Sequence, residues 1–228
     1  LRARGPARCY YYHQFNAGPA KARNQGVKLS QGQWLLFLDA DDELLSDALA
    51  MFRTAIQENP QASVILAEHI SVGEDGNTKH HWQKRLPESP LQRLRAYLLD
   101  KTLGVCHGAL LLRRKVFAQY GYPEYLRGGE DIPWFAYALA NFSCALITAP
   151  TVRIHRHPSS LRNQADRAAA TGLQLVDEIF NPQRLSPDLM TLKPAYAARR
   201  HLSLFRTLEQ TGQAREAWAH YIAAVRLL

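Results

Sequence analysis

Residues 33–42 read QWLLFLDADD, an apolar run that ends in three closely spaced aspartates, Asp39, Asp41 and Asp42. A nearly all-apolar run of this length favours a strand that is buried on both faces, as in a parallel sheet between helix layers. Ligands of open α/β sheets bind beyond the carboxyl ends of the strands, so the aspartates are predicted to lie at a binding edge. The sequence therefore predicts an α/β fold with a mostly parallel sheet between helices.

The segments on either side of this run continue the alternation of strands and helices. Apolar or aromatic runs that stop at turn residues predict strands at residues 9–15, 62–68, 108–112, 143–148 and 152–157. Periodic apolar positions predict helices at residues 20–31, 47–59 (with Ser46 as its N-cap), 91–103, 115–120 and 132–142. The polar segment between these elements, residues 80–90, is predicted to be a mobile loop.

The character of the chain changes after Asn163, where Ala, Leu, Gln and Arg dominate. Residues 195–210 and 214–227 are predicted to form one helical hairpin, because a short Gly-containing turn separates two helical patterns. We therefore expect a main domain in residues 1–163 and a C-terminal helical region in residues 164–228.

Composition and charge narrow the class of protein. The 228 residues are 46% hydrophobic and 21% charged, as in ordinary globular domains, and no apolar run approaches the roughly 18 residues that a membrane-spanning helix needs. The formal charge of +8 is concentrated before the first acid, Asp39, which favours an anionic partner. Three widely spaced cysteines fit a reducing compartment, so a cytoplasmic location is expected.

The aspartates after the apolar run are the strongest chemical signal. Like charges at this spacing call for a compensating cation, and hard carboxylate oxygens suit Mg²⁺ or Mn²⁺ completed by substrate phosphates. A purely structural alternative is that the acids lead into the next helix and interact with its N-terminal dipole. The residues alone leave both readings open.

Two motifs in order resemble the signature of family-2 glycosyltransferases of the GT-A fold. The first combines Asn16-x-Gly18 and Ala22-Arg23-Asn24-x-Gly26 with the Asp39-Ala40-Asp41-Asp42 run, and the second joins Gly121-Tyr122-Pro123-Glu124 to Gly129-Glu130-Asp131. The resemblance covers residues 15–163 and leaves out the C-terminal helices. It implies a metal-dependent enzyme that moves a sugar from a nucleotide-diphosphate sugar to an acceptor hydroxyl.

The resemblance also implies roles for individual residues on the donor side. The metal, Mn²⁺ or Mg²⁺, would be held by Asp41 with Asp39 and a histidine after the last strand. His155 and His157 share one strand face, so the pattern does not decide between them, and His157 is ranked ahead. The donor would contact Asp39, Arg23, Asn16, Asn24 and Arg156. An alternative for Arg23 is simple pairing with the acids.

On the acceptor side the resemblance points to the Glu130-Asp131 pair. Inverting transfer needs a carboxylate within reach of the acceptor hydroxyl, and Asp131 is expected to be this general base, with Glu130 orienting the loop or binding the acceptor. Capping of the following helix is the structural alternative for Asp131. Trp134 offers either a sugar-stacking face or a core indole, and the core indole is the preferred interpretation.

The sequence departs from the family in lacking, before Cys9, the strand, helix and strand that hold the nucleotide base. A sheet without its first strand exposes an edge, so strand replacement or a homo-oligomer is expected. The expected role is synthesis of bacterial surface polysaccharide or lipopolysaccharide, with a glycan or lipid-linked acceptor and peripheral membrane association. The alternative is a truncated, non-catalytic sugar- or nucleotide-binding module, and no motif supports nucleic-acid binding.

Overall fold

The computed structural model describes residues 2–4, 9–83, 85–126, 128–156 and 172–228. The strands are β1 (Arg2–Arg4), β2 (Cys9–Tyr11), β3 (Trp34–Leu36), β4 (Glu43–Leu44), β5 (Val64–Val72), β6 (Thr78–His81), β7 (Leu110–Arg113) and β8 (Cys144–His155). The helices are α1 (Pro19–Leu29), α2 (Ala48–Glu58), α3 (Pro90–Arg95), α4 (Asp131–Asn141), α5 (Gln174–Ile179), α6 (Pro187–Met190), α7 (Lys193–Gln210) and α8 (Ala214–Arg226). A π-helical turn (Ala96–Asp100) continues α3, and a 3₁₀ turn (Arg114–Phe117) follows β7.

The main sheet confirms the α/β class but corrects the expectation of a mostly parallel sheet. Its strand order is β3-β7-β5-β8-β4, with β6 added to β5. Within the described residues only β5 and β8 pair in parallel, and the other neighbours are antiparallel. The reason is that β7 inserts between β3 and β5 in the opposite direction, and an all-apolar run does not report strand direction. The carboxyl ends of β3, β5 and β8 nevertheless share one edge.

The core occupies both faces of this sheet. One face packs Val64, Leu66 and Leu112 against α3, α4 and the segment 175–196, and the other packs Ile65 and Leu111 against α2. Leucines and valines alternate between these faces because successive strand residues point in opposite directions. Residues of α5 and the start of α7 therefore belong to the same core as the sheet. The predicted division at residue 163 lies outside the described residues and stays a prediction.

Several helices and strands begin or end at residues other than those predicted. The first two residues of the predicted loop at 80–90 belong instead to β6, which pairs with the second half of β5. The two predicted strands at residues 143–148 and 152–157 are one long strand, β8. The residue preceding α2 is Asp47 rather than Ser46, and no side chain caps that helix. The C-terminal hairpin forms as expected from α7 and α8.

Two further observations bear on the predicted partners. The segment at residues 9–15 contributes only β2, an exposed strand that pairs with β1 outside the main sheet. No helix in the part of the chain that the structure describes combines the length and apolar character needed to cross a bilayer.

Candidate functional site

Arg23 joins the two acidic motifs. Its Nη2 lies 2.9 Å from Oδ1 of Asp39, and its Nη1 lies 2.8 Å from Oε1 of Glu130. Arg23 follows the buried Ala20 by three residues on α1, so both side chains lie on the helix face that meets the sheet. Only 14% of the Arg23 side chain is exposed, which limits screening of these contacts by water. One guanidinium therefore holds the end of β3 beside the start of α4, and the two motifs share one cleft.

Asp131 is the half-buried first residue of α4 and lies next to this ion pair. Burial, reinforced by the negative charge of Glu130, raises the pKa of Asp131 to about 6, although Arg23 and the amides at the start of α4 oppose the rise. This pKa is close to the range in which a general base is effective at neutral pH. The structural alternative for Asp131 was that it caps α4. The residue in the capping position is instead Glu130, and no side chain caps the helix.

His107 is a buried residue of the cleft that the sequence analysis missed. Its Nδ1 lies 3.9 Å from Oδ2 of Asp39, and its Nε2 lies 3.0 Å from the hydroxyl of Tyr122. Burial and the nearby Arg23 lower the pKa of His107, so the ring is neutral at pH 7. The only signal in the sequence was a single polar side chain within the apolar residues 103–112, which does not distinguish a core histidine from a site histidine.

Asn24 shapes the loop on the acceptor side. Its Oδ1 accepts a hydrogen bond from the Tyr122 amide at 2.8 Å, and its Nδ2 donates to the Tyr122 carbonyl at 2.8 Å and to Glu124 at 2.9 Å. The close approach needs Gly121, because a Cβ there would lie 2.8 Å from Oδ1 of Asn24. Asn24 thus fixes the second motif against α1 and leaves Arg23, its neighbour, to contact the acids.

The three aspartates after β3 lie where β8 also ends. Oδ1 of Asp42 accepts a hydrogen bond of 3.2 Å from the His155 amide. Burial, followed by the charges of Asp41 and Asp39, raises the pKa of Asp42 to about 6 despite this bond. The aspartates precede α2, which begins at Ala48, by several residues, so its dipole does not explain them.

The donor atoms of this cluster fit a hard divalent cation. Asp41 is exposed, 44% of the Asp39 side chain is exposed, and both present carboxylate oxygens of the kind that Mg²⁺ and Mn²⁺ prefer. Within the described residues, no group of three or more His, Cys, Asp or Glu side chains forms a ready metal site. A cation there would therefore take further ligands from water and substrate phosphate. His157, the predicted third ligand, lies outside the described residues.

Other predicted site residues do not converge on the acids. Asn16 is exposed, and its Oδ1 accepts a hydrogen bond of 3.2 Å from the Gly18 amide at the start of α1. Arg156 is exposed just beyond β8, where its amide donates to the Val72 carbonyl. Trp134 is fully buried and stacks on Phe117 and Tyr122 in the core, which confirms the core interpretation.

Comparisons with known proteins match this geometry to a family. The model of glycosyl transferase family 2 matches residues 1–121. An uncharacterized glycosyltransferase of Rickettsia conorii is 40% identical over 135 residues, which are 59% of this chain and 22% of that protein. A PGL/p-HBAD biosynthesis glycosyltransferase of Mycobacterium tuberculosis is 32% identical over 124 residues, which are 53% of this chain and 42% of that protein. The chain thus spans less than half the length of these relatives.

Solved structures show the same fold. The structure of S. aureus TarS 1-349 superposes with a TM-score of 0.62 at 22% identity and covers 93% of this chain and 63% of that one. The complex of TarS 1-349 with UDP-GlcNAc superposes with a TM-score of 0.63 at 20% identity, over 92% of this chain and 63% of that one. The fold is therefore GT-A-like, as predicted. Because the family model matches more than half of its 228 residues, the chain belongs to glycosyl transferase family 2.

Proposed function

We propose that the chain transfers a sugar from a nucleotide-diphosphate sugar to an acceptor hydroxyl with inversion at the anomeric carbon. The observation that carries the proposal is the bridge from Asp39 through Arg23 to Glu130, which unites the donor and acceptor motifs in one cleft. The UDP-GlcNAc complex of the structurally similar TarS supports a nucleotide-sugar donor. Transfer from this cleft needs a base on one side of the bridge and stabilisation of the leaving diphosphate on the other.

Asp131 is the proposed base. Its raised pKa allows the carboxylate to accept the proton of the acceptor hydroxyl and still be ionised at neutral pH. The hydroxyl oxygen then forms a bond to the anomeric carbon while the bond from that carbon to the diphosphate breaks. Attack from the Asp131 side and departure toward Asp39 account for inversion in a single displacement.

Asp39 and Asp41 are proposed to hold Mg²⁺ or Mn²⁺. Such a cation supplies charge neutralisation for the leaving diphosphate when it is bound. Arg23 holds the Asp39 carboxylate in place, and the neutral His107 limits its movement from the other side. These contacts orient the aspartate before substrate binds, which reduces the entropy lost on assembling the site.

The acceptor is proposed to be a glycan or lipid-linked sugar of the bacterial surface. The mycobacterial relative, named for PGL/p-HBAD biosynthesis, supports a role in envelope glycoconjugates. The basic character of the chain, with a formal charge of +8, supports a cytoplasmic location at the inner face of an anionic membrane.

The test is release of nucleoside diphosphate from a panel of sugar nucleotides, with acceptors and with Mn²⁺, Mg²⁺ or EDTA. We expect release that needs a cation, falls about 10³-fold in Asp131→Asn, and is unchanged in the matched control Asp47→Asn, an exposed acid before α2. Full activity of Asp131→Asn would overturn the base assignment. Binding of nucleotide without turnover of any donor would favour the non-catalytic module.

A further inference from the structure

Three cationic side chains lie close together where α7 meets the π-helical turn. Lys101 follows the π-helical turn in a left-handed conformation with φ of 56°, and Arg199 and Arg200 lie on α7. Nη1 of Arg199 donates to the Leu99 carbonyl, and Nε of Arg200 donates to the Gly172 carbonyl at 3.2 Å. The Arg199 bond fastens α7 to the turn, and the Arg200 bond fastens it to the segment before α5. The three cations are hereafter called the cationic cluster.

The cationic cluster has no acidic counterpart in the described part of the chain. The nearest acid in sequence, Asp100, pairs with Arg95 at 3.4 Å, and no described carboxylate lies within 4 Å of the three cations. Burial, followed by the charges of Arg199 and Arg200, lowers the pKa of Lys101. A concentration of like charge that the described carboxylates do not neutralise favours a bound anion.

Two buried tyrosines connect the cationic cluster with the proposed base. The Nζ of Lys101 lies 5.5 Å from the ring centroid of Tyr97. Burial raises the pKa of Tyr97, and the charge of Asp131 adds to the rise. Burial also raises the pKa of Tyr196, which Arg200 and Arg199 lower and Asp131 raises. Tyr97 also packs edge-to-face on Phe135 of α4, with ring centroids 6.4 Å apart. Its ring therefore contacts both Lys101 and the helix that begins at Asp131.

We propose that the cationic cluster, formed by Lys101, Arg199 and Arg200, binds a phosphate group carried by the acceptor. The inference rests on the proposed function, which places the acceptor at Asp131 and the donor diphosphate at Asp39. Arginine guanidinium groups match phosphate oxygens in bidentate geometry, and the lysine adds a point charge. The acceptor is therefore one that carries a phosphate group, supplied either in a phosphodiester polymer or in a lipid diphosphate.

The direct test is binding of a fluorescein-labelled glycerol phosphate oligomer, followed by anisotropy. Arg199→Gln with Arg200→Gln should weaken binding at least about tenfold, since each charge-assisted bond to phosphate is worth that much. The matched double variant Arg206→Gln with Arg215→Gln removes the same charge from exposed positions on α7 and α8 and should stay within about twofold of the parent. Equal losses in both double variants would show unspecific attraction and overturn the proposal.

A second variant covers the case in which the arginine double variant unfolds. Lys101→Gln removes one charge of the cluster but none of the bonds that fasten α7, and it should weaken binding about threefold or more with an unchanged melting temperature. Arg199→Lys with Arg200→Lys should restore part of the affinity, because charge returns without the planar fork. An unchanged affinity in Lys101→Gln and in the arginine variants would contradict the assignment.

Further measurements distinguish the two sources of phosphate. They also distinguish failure of this inference from failure of the proposed function. Binding of the oligomer alone identifies a polymer acceptor, binding of a prenyl diphosphate in neutral micelles alone identifies a lipid acceptor, and binding of neither overturns the proposal. Donor hydrolysis without acceptor reports the proposed function independently. Phosphate binding that depends on the cluster, in a chain that hydrolyses no donor, would sink the proposed function and leave an anion site. Donor hydrolysis without any phosphate binding would overturn the assignment of the cationic cluster and leave the proposed function standing.

Discussion

Replacement of Arg23 by methionine tests whether the bridge between the two acidic motifs stabilises the fold. The change keeps an unbranched apolar stem and removes the cation that contacts Asp39 and Glu130. Loss of one partner of a buried ion pair costs about 3–5 kcal/mol, because the remaining charge loses its compensation. The Glu130 side chain is 11% exposed, so the full cost of an unpaired buried charge applies to it. The Asp39 side chain is 44% exposed, so water screens its charge. We therefore expect a loss of about 2–4 kcal/mol in the free energy of unfolding.

Urea denaturation followed by circular dichroism measures this loss in a double-mutant cycle. Arg23→Met, Glu130→Gln and their combination should give a coupling energy of about 2 kcal/mol, since the double variant no longer buries an unpaired carboxylate. The matched cycle uses Arg95 and Asp100, an ion pair at 3.4 Å whose side chains are 60% and 42% exposed. That pair should couple by less than about 0.5 kcal/mol. Equal coupling in the two cycles would refute the reasoning from burial.

Three further predictions concern pH and backbone conformation. Because burial and Glu130 raise the pKa of Asp131 to about 6, kcat/KM should fall about tenfold per pH unit below that value, and a flat profile from pH 5 to 8 would count against the base. Burial also raises the folded-state pKa of Asp42 to about 6, above its unfolded value, so this group contributes stability that is lost as pH rises from about 4 to 6. In EDTA, urea titrations at several pH values should show that Asp42→Asn flattens this decline by about 1–2 kcal/mol, and parallel curves would exclude the effect. Gly108→Ala should cost about 2–4 kcal/mol in thermal denaturation, since φ is 77° and a Cβ would lie 2.6 Å from Cγ2 of Val152. Gly26→Ala, in a helix with no atom within 4 Å of the added carbon, should instead stabilise the chain by about 0.5–1 kcal/mol, and similar shifts in both variants would contradict the steric account.

Local sequence patterns predicted the elements of this fold better than their arrangement. The apolar run before Asp39 correctly predicted a strand, although β3 lies at the edge of the main sheet and only its Leu35 is buried. The helix that starts at Asp131 appeared within one residue of its predicted start. Strand direction was wrong for β7, because side-chain periodicity is the same in parallel and antiparallel strands. The strand at residues 78–81 was missed because its polar side chains reflect an exposed edge position and carry no apolar signal.

The candidate site was predictable where short motifs carry it and hidden where distant residues meet. The resemblance to a family singled out Arg23, Asp39 and Glu130 together, and the structure brings these side chains into contact. His107 reaches Asp39 from a segment with no motif, so only tertiary packing reveals it. The cationic cluster depends on α7 packing against the π-helical turn, a contact between residues about a hundred positions apart. Separation of that kind leaves no local pattern in the sequence.

The bridge also explains why Asp131 rather than Glu130 is suited to move a proton. Glu130 uses its carboxylate to hold Arg23, so this carboxylate is engaged in keeping the two motifs together. Asp131 forms no such ion pair among the described residues, and its protonation relieves repulsion from its neighbour. The two adjacent acids therefore have different roles. Glu130 holds Arg23 in place, and Asp131 is the acid suited to exchange a proton. An acceptor whose phosphate is held by the cationic cluster would bring its hydroxyl to Asp131, the one of these two carboxylates that does not hold Arg23.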